Sequence, residues 1–157
     1  MRPSLIPPPV WALIFGVAMW ELNRYWPIAT IVPASWHPLG WCVMMLAFVA
    51  PFAAIQQFGH AGTTTSPRQP EAASALITRG VYAWTRNPMY LGLSTALTGW
   101  AVSLGGLSAF VGPAVFVPLI VRVQVLPEEQ ALRARFGKDY EDYCARVNRW
   151  LGRRTRS

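Results

Sequence analysis

Four long stretches of this chain are nearly free of charge, and each approaches the length a helix needs to cross a lipid bilayer. They run over residues 10–26, 36–58, 88–105 and 107–126. The hydrocarbon core of a membrane calls for about 20 apolar residues in helical form, because every backbone N–H and C=O must be bonded within the segment. The first stretch is the weakest, since Glu21, Asn23 and Arg24 interrupt its end, and Arg122 interrupts the fourth. Glu21 and Arg24 lie three apart on one helix and are a candidate ion pair. Only Gly106 separates the third stretch from the fourth, which requires a tight antiparallel hairpin.

The charge content points the same way. Only 13% of the 157 residues are charged and 53% are hydrophobic, whereas a soluble domain carries about a quarter charged residues. A water-soluble core of this size could not absorb so much apolar surface. The pattern predicts an all-α integral membrane protein, one domain over residues 1–157, with four transmembrane helices and an amphipathic helical tail from residue 127. No small-residue cleavage site follows the Pro-rich "IPPP", so the first helix is expected to stay in the mature protein.

Loop charges predict the orientation. Residues 27–35 and the Gly105–Gly106 turn carry none, while the 59–87 linker holds Arg68, Arg79 and Arg86 and the tail holds most of the remaining basic residues. The positive-inside rule then puts the linker, both termini and any site between them in the cytoplasm. Trp11, Trp26, Trp36, Trp84 and Trp100 fall near segment ends, where interfacial aromatic belts form. The net charge of +7 is spread over these flanking segments. It therefore points to lipid headgroups rather than nucleic acid. His37 and His60 have no spacing to a carboxylate or cysteine cluster, and Cys42 and Cys144 lie in unlike surroundings, so neither a metal site nor a disulfide is predicted.

Within the linker, "GHAGTTTSPRQPEAAS" reads as a polar loop and "ALITRGVYAWTR" as an aromatic segment at the membrane surface. In the tail, apolar residues at 132, 136, 140, 143, 147 and 150 or 151 make one helical face, with basic residues on the others. Gly137 is expected to end a first helix there, and Asp139 with Asp142 to open a second. A basic amphipathic helix that only binds anionic headgroups has the same pattern.

Two places could carry chemistry. "RGVYAWTRNPMYLGL" gathers Arg79, Tyr82, Arg86, Asn87 and Tyr90 where the third apolar stretch begins. Asn87 reads as a helix N-cap and Pro88 as the first helical residue. The unpaired N–H groups of that terminus suit an anion such as a ligand carboxylate, although any helix can start this way. Glu128 and Glu129 follow Pro127 at a second helix start. A helix dipole favours carboxylates there regardless of function, and a carboxylate beside the membrane can also hold hydroxyl or amino groups of a ligand. Arg122 either snorkels to the surface or serves a site.

The stretches "LITRGVYAWTRNPMYLG" and, some 35 residues on, "EEQALRARFGKDYEDYCARV" together resemble the isoprenylcysteine carboxyl methyltransferase family and its wider phospholipid methyltransferase group. The resemblance covers about Ala75 to Val147. It implies S-adenosylmethionine as methyl donor, enclosed between the start of the third helix and the C-terminal tail. By position, Leu76 and Ile77 would lie along the cofactor. Tyr82, Asn87, Pro88 and Tyr90 would line its pocket, and Glu128 would be the acidic anchor with Glu129 as neighbour. Tyrosine faces suit a sulfonium by cation–π attraction. Asn87 stands where the family has histidine, so it can hydrogen-bond but not titrate. Gln124 stands near a family arginine position, which leaves Arg122 as the nearest cation to hold an anionic acceptor and the candidate catalytic residue.

The implied reaction is methyl transfer to a lipophilic acceptor at the membrane. A carboxylate acceptor is favoured because it needs no base. N-methylation of an aminophospholipid is the alternative enzymatic reading, and a four-helix protein that binds lipid or a partner without catalysis is the third.

Overall fold

A computed structural model of the chain describes residues 6–61 and 76–153. The polar loop expected within 59–74, with Arg68, lies almost wholly outside the described residues, as does the side chain of His60. Among the described residues the fold is helical and contains no strand, only two isolated bridges. The described residues hold six α-helices, in order α1 (Pro8–Tyr25), α2 (His37–Leu46), α3 (Val49–Ala61), α4 (Pro88–Leu104), α5 (Val111–Ile120) and α6 (Leu126–Arg146). Short 3₁₀ turns occupy Ala34–Trp36, Gly80–Ala83 and Leu107–Phe110, and a π-helical turn, Val121–Val125, joins α5 to α6.

Two segments are long and apolar enough to cross a bilayer by length and composition, Ala34–Gln57 and Leu107–Arg146. The first corresponds to the stretch at 36–58 but is broken into α2 and α3 at Ala47–Phe48. Pro51 accounts for the break: it has no N–H and its ring collides with the carbonyl four residues back, at Ala47. Large apolar side chains such as Leu13, Val17, Trp41, Met45, Phe48 and Phe52 point outward. Such a surface suits lipid and would be a liability in water.

Residues 6–49 and 92–120 form one compact unit, and 50–61, 76–91 and 121–153 form another. In the first, α1 packs on α5 and on the Leu107–Phe110 turn, with Phe15 edge-on to Phe116 at 5.4 Å. Helices α2 and α4 touch through glycines. A Cβ on Gly40 would sit 2.5 Å from the Gly99 carbonyl oxygen and 2.6 Å from the Ser103 nitrogen. Close backbone approach through small residues is how helices associate without a hydrophobic drive between them. The uncharged segment after α1 closes the α4–α5 turn: Ile31 and Val32 N–H groups donate to the Gly105 carbonyl (3.0 and 3.1 Å), and Leu107 N–H donates to Ala29 (2.8 Å). Trp100 turns inward and donates from Nε1 to the Gly16 carbonyl at 3.0 Å, whereas Trp26 and Trp36 stay exposed. Arg24 lies over the rings of Trp20 and Tyr25, at 5.3 and 5.8 Å, and forms no ion pair with Glu21 among the described residues.

The other unit is built around Ala54, Tyr82, Tyr140, Tyr143 and Val147. Leu132 and Phe136 pack against this cluster, so the expected face of the tail holds as far as Val147. It stops there because α6 ends at Arg146 and the chain turns back on itself. Val147 bridges Arg153, Asn148 N–H donates to the Gly152 carbonyl at 3.0 Å, and Leu151 is exposed. Gly152, at φ +96°, permits that return. Within α6 the break expected at Gly137 is present, with φ +49° and ψ −121°. Cys42 and Cys144 are both free thiols.

Candidate cofactor and active site

The Gly80–Ala83 turn, the loop to Asn87 and the first turn of α4 bring one motif to the site. The first turn of α6 brings the other. Asn87 occupies the N-cap position, since the Leu91 N–H donates to its carbonyl at 2.9 Å, and buried Pro88 opens the helix. The side chain of Asn87 is committed elsewhere: Nδ2 donates to the Arg149 carbonyl at 3.2 Å, while its backbone N–H donates to Thr85 Oγ1 at 3.1 Å. Thr85 Oγ1 in turn donates to the same carbonyl at 3.3 Å.

One turn into α4, the Tyr90 hydroxyl donates to Glu128 Oε1 at 2.5 Å, across 38 residues of sequence. This bond joins the two stretches singled out above. The other Glu128 oxygen makes no hydrogen bond among the described residues. Burial pushes the Glu128 carboxyl up to about 7; the Tyr90 bond opposes that and the neighbouring Glu129 charge adds to it. Burial also holds the Tyr82 hydroxyl well above its usual range, followed by the effects of Tyr143 and Glu128, so Tyr82 feels the same carboxylate. Tyr82 is buried, and its carbonyl accepts from the Tyr143 hydroxyl at 2.7 Å. Leu76 and Ile77 pack against the same aromatic cluster.

Glu129 has a different environment from its neighbour. Its side chain is about one-tenth exposed and sits between two arginines. Arg86 Nη1 approaches Oε1 at 3.0 Å, and Arg149 makes a two-pronged contact, Nε to Oε1 at 3.0 Å and Nη2 to Oε2 at 2.8 Å. Arg86 Nη1 also donates to Cys144 Sγ at 2.8 Å, and the buried Arg86 Nε has no hydrogen-bond partner among the described residues. A buried carboxylate without a counter-charge is costly, so the two arginines make this burial tolerable. Arg122 is exposed on the π turn, without an ion pair among the described residues.

The structure thus brings Tyr82, Asn87, Pro88, Tyr90, Glu128 and Glu129 to one unit, with Leu76 and Ile77 on its aromatic core. Arg122 stands apart from the Glu128–Glu129 network. Sequence reading missed Arg149, Thr85 and the role of Arg86. Two adjacent acids at a helix start demand nearby cations, and that demand was a usable signal, but it does not say which of the many tail arginines answers it. Chemically, the arrangement offers a half-buried carboxylate with one open oxygen, phenol rings beside it, and a buried N–H donor left over on Arg86.

Comparison with known proteins agrees with the motifs. A family model described as phospholipid methyltransferase matches residues 35–139, more than half of the chain. The protein-S-isoprenylcysteine O-methyltransferase of Rattus norvegicus is 31% identical over 130 residues, which are 80% of this chain and 44% of that relative. An uncharacterized protein of Haemophilus influenzae is 38% identical over 63 residues, 40% of this chain and the whole of the relative. No solved structure matches the chain. By the extent of the family match and the agreement of its motifs, the chain belongs to the phospholipid methyltransferase family.

Proposed function

We propose that this protein transfers a methyl group from S-adenosylmethionine to a lipophilic acceptor at the membrane, in the first instance a carboxylate as in isoprenylcysteine carboxyl methylation. The observation that carries this reading is the Tyr90–Glu128 hydrogen bond, which ties the Asn-Pro motif to the acidic pair. Bound there, the cofactor would supply a methyl group on a sulfonium, which is already an electrophile with a neutral leaving group.

The chain's own residues then bind and orient. The open oxygen of Glu128 accepts from hydroxyl or ammonium groups, and Tyr90 keeps that carboxylate turned toward the start of α4. Tyr82 and Tyr90 present aromatic faces to a cation. The N-terminus of α4 and the unpartnered Arg86 Nε–H suit the carboxylate end of an amino acid. Leu76 and Ile77 cover the apolar side, and Asn87 and Pro88 fix the backbone of the pocket. Glu129, already held by two arginines, supports Glu128 from the side. Exposed Arg122 is the cation available to an anionic acceptor. With the sulfonium already charged and its thioether leaving group neutral, positioning and exclusion of water supply most of the catalysis.

A lipophilic acceptor is supported by an apolar cavity of about 700 Å³ in the unit that contains α1, lined among others by Ala12, Gly16, Trp20, Trp41, Leu97 and Trp100. In this reading residues 1–157 are one membrane methyltransferase domain. The four apolar stretches span the bilayer, and both termini and the site face the cytoplasm. One observation favours a second acceptor class. A carboxyl that titrates near 7 can take the proton an amine must lose before methylation, which would suit an aminophospholipid.

Calorimetric binding of S-adenosylmethionine to detergent-purified protein tests the cofactor site. Glu128→Ala should abolish binding, and Glu141→Ala, at an exposed position on α6, should leave it intact. Equal affinity of the two variants would remove the proposed site. Radiolabel transfer to a prenylcysteine analogue or to phosphatidylethanolamine vesicles then separates the acceptor classes.

A further inference from the structure

Arg149 bonds to both motif segments through different groups. Its guanidinium grips both oxygens of Glu129 on α6, and its backbone carbonyl accepts from Thr85 and Asn87 just before α4. Neighbouring bonds keep the returning chain in place. Arg86 N–H donates to the Asn148 carbonyl at 3.2 Å, and Gly152 N–H donates to the Trp84 carbonyl at 2.8 Å. Arg86 does less for Glu129, because it approaches one oxygen only and shares that nitrogen with Cys144.

We propose that Arg149 is the positioning residue of the cofactor site: it holds the start of α4 and the first turn of α6 in one geometry and neutralises Glu129, so that Glu128 alone offers an open carboxylate. The inference rests on the cofactor reading above. Two parts of the side chain's chemistry matter separately. The planar fork sets geometry, which an ammonium cannot reproduce, while the positive charge offsets Glu129, which an ammonium can.

The charge has a consequence that a purely structural prop would lack. Glu128 is faced by Tyr90 from α4, by Tyr82 from the Gly80–Ala83 turn and by Glu129 from its own helix. Around Glu129 stand Arg86, Arg149 and the Tyr140 hydroxyl. Removing the Arg149 charge leaves Glu129 less compensated, and its field then holds Glu128 protonated to a higher pH. Binding that requires the Glu128 carboxylate therefore moves its acid limb upward.

The test is S-adenosylhomocysteine binding between pH 5.5 and 9 by the full chain in nanodiscs, comparing wild type with Arg149→Gln, Arg149→Lys and Arg146→Gln. Arg146 is exposed on α6 and, among the described residues, bonds to the Asp142 carbonyl of its own helix, so it controls for a lost positive charge as such. Arg149→Gln should weaken binding on the order of ten- to hundredfold at neutral pH. Its midpoint should rise by about one pH unit. Arg149→Lys should keep the wild-type midpoint with intermediate affinity, and Arg146→Gln should match wild type. A wild-type midpoint in Arg149→Gln overturns the proposal and leaves the cofactor reading standing. If Arg149→Gln does not fold, Arg149→Lys decides: reduced affinity at an unchanged midpoint supports the proposal, and wild-type affinity overturns it. Wild-type protein that melts cooperatively yet binds no S-adenosylhomocysteine removes the cofactor reading itself, and this inference with it.

Discussion

Replacing Tyr90 by phenylalanine removes one oxygen and leaves the ring, the helix and the packing in place. What is lost is the hydrogen bond to Glu128, the sole one that carboxylate accepts among the described residues. A hydrogen bond to a charged group in a protein contributes about 1.5–3 kcal/mol. One pKa unit corresponds to about 1.4 kcal/mol, so the lower figure raises the Glu128 titration by about one unit. Glu128 starts at about 7, where it is half ionised at neutral pH. A further unit leaves about a tenth ionised, and binding that needs the carboxylate weakens about fivefold at pH 7. At pH 9 both proteins are more than about nine-tenths ionised, so the gap should all but close. Isothermal titration with S-adenosylhomocysteine at the two pH values reads this directly. Unaltered affinity of Tyr90→Phe at pH 7 would refute the reasoning, and so would a deficit that persists at pH 9. The first outcome would mean the bond does not control the carboxylate. The second would mean the hydroxyl acts on the ligand itself.

Three further outcomes follow from the same geometry. Because burial raises Glu128 in the folded state from 4.5 to about 7, the folded protein binds the extra proton, and the stability this gives is lost as pH rises through that window. Glu128→Gln should therefore melt at a higher temperature than wild type at pH 8, by on the order of 3 kcal/mol of stability, with the difference vanishing near pH 4. Arg86→Met leaves buried Glu129 to Arg149 alone and should destabilise the fold by about 3 kcal/mol in thermal melts, with near-normal stability counting against the ion pair as a buried one. Gly40→Ala forces a methyl against the Gly99 and Ser103 backbone, which cannot swing away. It should lower stability by about 1–3 kcal/mol, while Gly16→Ala, with open space at its Cβ, should be neutral.

How much of this was legible depended on how local the determining chemistry is. Asn87–Pro88 opening α4, Pro127 and the acidic pair opening α6, and the break at Gly137 are all decided within a few residues, and each is visible in sequence. The apolar face of the tail was legible to Val147 for the same reason. Pro51 was equally local, yet its effect was hidden by the unbroken hydropathy of the 36–58 stretch. That measure responds to side chains and is blind to a missing N–H. Arg24 and Glu21 were at helix-pair spacing, but the flanking Trp20 and Tyr25 rings offered the guanidinium a competing partner. The Glu129–Arg149 clasp depends on a chain reversal at 147–153, held by backbone bonds to Trp84 and Arg86. No periodicity encodes such a reversal, and among several arginines in the tail only geometry selects one. The family resemblance named Glu128 as the acidic anchor and Glu129 as its neighbour, without their partners. The structure supplies these, giving one carboxylate to Tyr90 and the other to arginines.

The late position of Arg149 has a consequence for how the protein is made. Chains emerge from the ribosome at about 5–20 residues per second. Arg149 follows Glu129 by 20 residues, so the carboxylate exists for roughly one to four seconds before its second arginine is synthesised. Asn87 waits longer still for the carbonyl that receives its side chain. During that interval α4 and the start of α6 can form by themselves, but the bonds that fix one against the other are missing. The finished site therefore appears only when the chain reversal at 147–153 folds back against the segment before α4.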